Sequence, residues 1–188
     1  MSKEQQKLRM MIITGLFAAI IGILAQITIP LPLVPITGQT LAIGLAATIL
    51  GSRFGSLSVI VYLAIGLAGV PVFAQFSSGF STLFGPTGGY LIGFIPSAFL
   101  IGWYLEKTSF RFSHALFANV IGMVLTLLIG TAWLKIAANL SWAGAFTGGF
   151  VPFIIVGIIK AALAAWIGVT IRNRLISARL LISSKHSM

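Results

Sequence analysis

Six apolar runs, at residues 10–29, 37–50, 55–67, 90–105, 113–134 and 150–171, account for most of this chain, and nearly all of its charges lie between them. Charged residues make up 7% of the total, against about 25% in an ordinary soluble domain, too few to cover a water-facing surface. Hydrocarbon as solvent removes that difficulty. It also dictates the secondary structure, because a backbone in lipid must satisfy its own hydrogen bonds, and a helix does so within one segment. The sequence therefore reads as an all-α integral membrane protein with six transmembrane helices and a single membrane domain over residues 1–188. The second and third runs are short. At 1.5 Å per residue they reach only about 20 Å, so tilt, breakage or shelter inside the bundle is expected there. The first run follows Lys3, Lys7 and Arg9 as a secretory signal might, but its 20 residues exceed the h-region of a signal peptide and fit a full span. It is read as a retained first helix.

The distribution of cations sets the orientation. With the N-terminus inside, the inner segments hold Lys3, Lys7, Arg9, Arg53, Lys107, Arg111, Arg172, Arg174, Arg179 and Lys185, and the outer loops hold Lys135 alone. Ten against one is a strong positive-inside bias. It places both termini in the cytoplasm, and the loops at 30–36 and 68–89 outside. The +10 net charge thus belongs to membrane topology, not to a nucleic-acid surface. Pro30, Pro32 and Pro35 end the first helix, and Gly51-Ser52-Arg53 reads as a tight turn.

Several function classes drop out. There is no cysteine, so no disulfide or thiolate metal site. The only acids, Glu4 and Glu106, fall outside the spans, so no intramembrane carboxylate is available for ion coupling or for a hydrolase triad. No Walker A pattern is present. His114 and His186 are too few and too far apart for a metal centre, and no cofactor is indicated. The chain has neither a catalytic set nor a power source of its own.

One charge stands inside a span. Lys160 costs about 2.5–3.5 kcal/mol on insertion scales if central, and no carboxylate of the chain is placed to offset it. An anionic ligand, backbone carbonyls or water remain, as does a lysine that snorkels or is simply neutral. The long external loop is apolar and aromatic, with Phe73 and Gln75, and reads as a lid over the bundle. Thr87, Gly88 and Gly89 precede the helix carrying Tyr90, where free amides can meet an anion or carbonyl; a packed loop with a plain helix cap is the alternative. Gln39 suits an amide-like ligand group or a helix cap. Trp142 lies in the last external loop. Asn119 reads as an interhelical hydrogen bond. In the first helix, Gly15 with Ala19 and Ala18 with Gly22 offer small-residue faces for close helix approach, within the chain or to a partner.

Four segments together resemble the BioY family, the biotin-binding substrate (S) components of energy-coupling factor (ECF) transporters: PLPLVPITGQTLA at 30–42, GLAGVPVFAQF at 66–76, GPTGGYLIGF at 85–94 and PFIIVGIIKAALA at 152–164. The resemblance implies a six-helix S-component fold in the bacterial plasma membrane that captures biotin near the outer face. It implies as partners a transmembrane coupling protein (T component) and two cytoplasmic ATPase subunits, consistent with the missing power source. Biotin's carboxylate suits Lys160, its fused rings suit Phe73, Tyr90 or Trp142, and its ureido group suits Gln39, Gln75, Thr87 and the amides of Gly88 and Gly89. Two departures stand out. Gly157 occupies a position where the family often carries aspartate, and the family's AxxxA docking pattern is represented only by Gly15, Ala18, Ala19 and Gly22. A self-sufficient carrier for a small organic anion is the second reading, and a ligand-free membrane scaffold a third.

Overall fold

The computed structural model of the chain describes residues 3–178 together with 180 and 181. Of the residues weighed above, Arg179, Lys185 and His186 lie outside that set. Helix α1 (Lys3–Ala25) turns Leu8, Met11, Ile12, Leu16 and Ile23 outward. That apolar surface is suited to lipid. The proline-rich loop that follows cannot be helical and closes as a small hairpin, β1 (Thr28–Ile29) antiparallel to β2 (Ile36–Thr37), with Thr28 opposite Thr37 and Ile29 opposite Ile36.

Helix α2 (Gln39–Leu67) is interrupted at Gly51, whose φ of 83° and ψ of −171° break the helical path. The two arms, 39–50 and 52–67, double back on each other. In a straight helix, Gln39 and Tyr62 would stand about 35 Å apart, yet the Gln39 amide donates to the Tyr62 hydroxyl at 2.6 Å, and Gly55 packs on the backbone of Ala47. The turn expected at Gly51-Ser52-Arg53 is thus a reversal with almost no loop. Such a break strands backbone groups at both helix ends, and two distant side chains supply partners. The Glu106 carboxylate accepts from the Ser52 amide at 2.8 Å and from its hydroxyl at 2.7 Å. The Arg172 guanidinium donates to the Ile49 carbonyl and lies 3.5 Å above the centre of the Phe110 ring. An acid at a helix N-terminus and a base at a C-terminus also match the helix dipoles.

The remaining elements are a 3₁₀ turn (Ala74–Phe76), α3 (Gly79–Phe84), α4 (Gly88–Lys107), α5 (Phe112–Ala137), α6 (Trp142–Gly149) and α7 (Phe153–Ser177). Among the described residues, five helices are long and apolar enough to cross a membrane, and counting the two arms of α2 separately gives six. The two longest loops are more ordered than their composition suggests. The 68–89 connection holds the 3₁₀ turn and α3, and the loop expected at 135–149 contains α6, whose N-terminus is capped by the Ser141 hydroxyl accepting from Gly144. The last helix starts at Phe153, not at Phe150, because Pro152 occupies its N-cap, a position that needs no amide hydrogen.

In the bundle, α4 packs between α2 and α5, α7 lies against α2 and α5, and α1 flanks α2. Asn119 makes the expected interhelical bond, donating to the Thr48 hydroxyl at 2.9 Å, and Thr126 donates to Ser97 at 2.7 Å. Each such pair contributes about 0.6 kcal/mol in a membrane setting. Where α4 crosses the Gly51 reversal, a Cβ on Gly102 would overlap the backbone of Gly51 and Ser52. Gly102→Val is therefore expected to destabilise the fold by about 1–3 kcal/mol, read as a lowered melting temperature of the detergent-solubilised chain.

Candidate functional site

At the end of the bundle opposite the Gly51 reversal, a cavity of about 320 Å³ opens between the first hairpin, the 72–77 segment and helices α2, α4, α5 and α7. This is at the small end of the range for ligand pockets. Its wall is mixed, with Leu33, Val34, Phe73, Leu91, Phe94, Leu127 and Phe153 set among the polar side chains of Thr37, Gln39, Gln75, Thr87, Thr126 and Lys160.

Lys160 is the cation in that wall. It is the eighth residue of α7, about 10 Å from the start of the helix, and so nearer the cavity end than a start at Phe150 implied. Its Nζ donates to the Thr37 carbonyl at 2.6 Å. Neither Glu4 nor Glu106 lines the cavity. The ammonium is therefore held by a backbone dipole and has further donors to offer.

Around Thr37 the polar groups form a chain. The Thr37 hydroxyl donates to the Gln39 side-chain oxygen at 2.7 Å, and the Gln39 amide nitrogen donates to Tyr62 at 2.6 Å. Tyr62 meets Phe73 edge to face, with ring centres 5.5 Å apart. Phe73 is fully buried and its ring lies on Gly66, where any Cβ would collide with it. Across the cavity, the Tyr90 hydroxyl donates to the Gly149 carbonyl at 2.7 Å, which fixes a ring that also stacks near Phe153.

Lys160, Tyr90, Thr87, Gln39, Phe73 and Gln75 are thus brought to one cavity. Gly88, Gly89 and Trp142 are not among its lining residues. The Gly88 amide is already engaged with the Gly85 carbonyl at 3.1 Å, and both glycines lie against Trp133, whose indole donates to the Gly85 carbonyl at 3.0 Å. Their smallness serves helix packing. Trp142 is 56% exposed and stands under the Lys135 ammonium, 5.3 Å from its ring centre. Phe94, Phe153 and Thr126 escaped the sequence reading, whereas the 31–35 segment belongs to the 30–42 motif quoted there. Phe94 lies four residues after Tyr90 and Phe153 seven before Lys160, both spacings that return to the same helix face, and this was the available signal. Gly157 is packed against Met123, whose sulfur fills the space that a side chain there would need. On α1, Ala18 and Gly22 are buried, and Gly22 meets Val72 and Tyr62. Gly15 and Ala19 face outward.

Among the described residues the cavity holds one cation, set among apolar and neutral polar side chains, and so suits a compact amphipathic anion. The BioY family model matches residues 1–177. "Biotin transporter BioY2" of Lactococcus lactis subsp. cremoris is 41% identical over 168 residues, covering 89% of this chain and 92% of the relative. "Biotin transporter BioY" of Thermotoga maritima is 39% identical over 166 residues, covering 88% and 97%. The 2.1 Å crystal structure of an S component for biotin from an ECF-type ABC transporter superposes with a TM-score of 0.84 at 31% identity, covering 92% of this chain and 95% of that one.

Removing the Tyr62 hydroxyl leaves a buried Gln39 donor without its partner. Tyr62→Phe is expected to cost about 1–3 kcal/mol, measurable as a melting temperature lower by several degrees.

Proposed function

The chain belongs to the BioY family, and from that premise we propose that the cavity around Lys160 is its biotin site. The protein is a multi-pass membrane transporter subunit, not an enzyme. It is the biotin-specific S component of an ECF-type ABC transporter and mediates biotin uptake. The observation that carries the site assignment is the single ammonium in an otherwise neutral chamber. Biotin's carboxylate meets Lys160, an ion contact whose strength is raised by the low dielectric around it. The fused rings lie among Phe73, Tyr90, Phe94 and Phe153. The ureido group draws on Gln39, Gln75 and Thr87, which supply both donors and acceptors. Gly157 with Met123 beside it offers no carboxylate there, so the ureido contacts fall to those neutral groups.

The cavity faces the outside, and the end bearing Arg53, Lys107, Arg111, Arg172 and Arg174 faces the cytoplasm, in keeping with the positive-inside rule. With no Walker A loop of its own, the chain draws on two cytoplasmic ATPase subunits through a transmembrane coupling protein. Gly15 and Ala19 are the small pair of α1 left open for that partner. Ala18 and Gly22 are already used inside the chain.

Lys160→Ala is expected to weaken biotin binding by about 2 kcal/mol or more, roughly thirtyfold in Kd, in a titration of the purified chain; binding at wild-type strength would overturn the counter-ion assignment. In vesicles, the chain alone should bind biotin without accumulating it, and uptake should appear on adding the coupling protein, the ATPases and ATP. Uptake by the lone chain would favour a self-sufficient carrier.

A further inference from the structure

The segment from Val72 to Ser77 has an unfavourable backbone shape and is tied to α1 by a side chain that does not line the cavity. Gln75 and Phe76 both have positive φ, 57° and 56°, the left-handed region that residues with a Cβ seldom occupy. Two such residues in succession persist only when surrounding contacts impose them. Within the segment, the Phe73 amide donates to the Ser77 carbonyl at 3.0 Å and the Ser77 amide to the Ala74 carbonyl at 3.2 Å; the side-chain hydrogen bonds that reach it from α1 come from Gln26, the first residue past that helix. Its side-chain nitrogen lies 3.3 Å from the Val72 carbonyl, 3.0 Å from the Phe73 carbonyl and 3.1 Å from the Gly22 carbonyl. Its oxygen accepts from the Phe76 amide at 2.9 Å. One carboxamide thus grips the segment at both ends and ties it to the end of α1. Beneath it, Val72 rests on Gly22.

The gripped segment is a wall of the chamber, to which it contributes Phe73, Ala74, Gln75 and Ser77. It is flanked by Gly69 and Gly79, with φ of 101° and 78°, and both glycines border open space. Two permissive joints, a strained span between them and a single polar clamp make an element with a second position available once the clamp lets go. We propose that Gln26 is a positioning residue for this strap: its carboxamide holds residues 72–77 shut over the bound ligand and thereby sets how fast the ligand leaves. The strap's inner anchor, Phe73, packs on Tyr62, the last member of the hydrogen-bonded chain that begins at Lys160, so the clamp on α1 and the cation in the chamber bear on the same short segment.

The proposal rests on biotin being the ligand, and the experiment separates the two. The full-length chain and its Gln26→Ala and Gln26→Glu variants are loaded with radiolabelled biotin and chased with unlabelled biotin. Glutamate keeps the length and the acceptor but loses the donors to Val72 and Phe73. Both variants are expected to release biotin at least tenfold faster than the parent, with the number of binding sites per molecule unchanged. Release at the parental rate overturns the proposal, and so does a loss of sites without a change in rate, the mark of a merely structural residue. Failure of the parent to bind biotin removes the ligand assignment instead, and the strap is then judged without ligand. The chain has no cysteine, so Val72→Cys introduces one thiol beneath the strap. Its labelling by a maleimide should be several-fold faster when Gln26→Ala is added, and equal labelling overturns the clamp.

Discussion

The reversal at Gly51 is the constraint on which the rest of the bundle depends. In hydrocarbon, a helix end is stable only if other protein groups take over the hydrogen bonds that water would supply. Here two helices end and begin within one residue, and Glu106 and Arg172, from the far ends of α4 and α7, serve the two sides of the break. The consequence is positional. With both arms of α2 and the ends of α4 and α7 drawn to one point, the opposite ends of these helices can diverge. The space they leave is lined by Gln39, Tyr90, Phe153 and Lys160. Closure at one end and a chamber at the other are two aspects of a single packing solution.

The chamber works by subtraction. The sequence offers it no carboxylate, and several of its polar side chains already have partners in the protein, Thr37 with Gln39, Gln39 with Tyr62, and Tyr90 with the Gly149 carbonyl. What stays unneutralised is the ammonium of Lys160. On the site assignment proposed above, such a chamber would discriminate by charge at one point and by shape elsewhere.

Much of this was legible in the sequence because the bilayer is a severe solvent. The spans, the turn at Gly51 and the interhelical role of Asn119 follow from apolar run length, glycine chemistry and the cost of a buried amide. Lys160 announced itself as a charge without an acid. The differences between the expected residues and those lining the cavity have a common cause. Trp142, Gly88 and Gly89 carry ring and amide groups, but side-chain type does not reveal direction. The indole turned toward Lys135, and the glycines were consumed in letting Trp133 approach. Phe94 and Phe153 looked like ordinary lipid-facing or core residues, and only the crossing of α4, α5 and α7 gave them a cavity to face. Gln26 was silent for a similar reason, since its four partners are backbone atoms contributed by two different segments.

The contact between Lys160 and the Thr37 carbonyl carries an evolutionary consequence. The cation's partner within the protein is a main-chain atom, present whatever residue stands at position 37. Substitutions in the first hairpin can therefore change the shape of the chamber's mouth while leaving the electrostatic setting of the lysine intact, provided that the strand pairing of Thr28 with Thr37 holds the chain's path. Selection is then free to reshape the chamber's mouth without having to rebuild the backbone contact that holds the lysine.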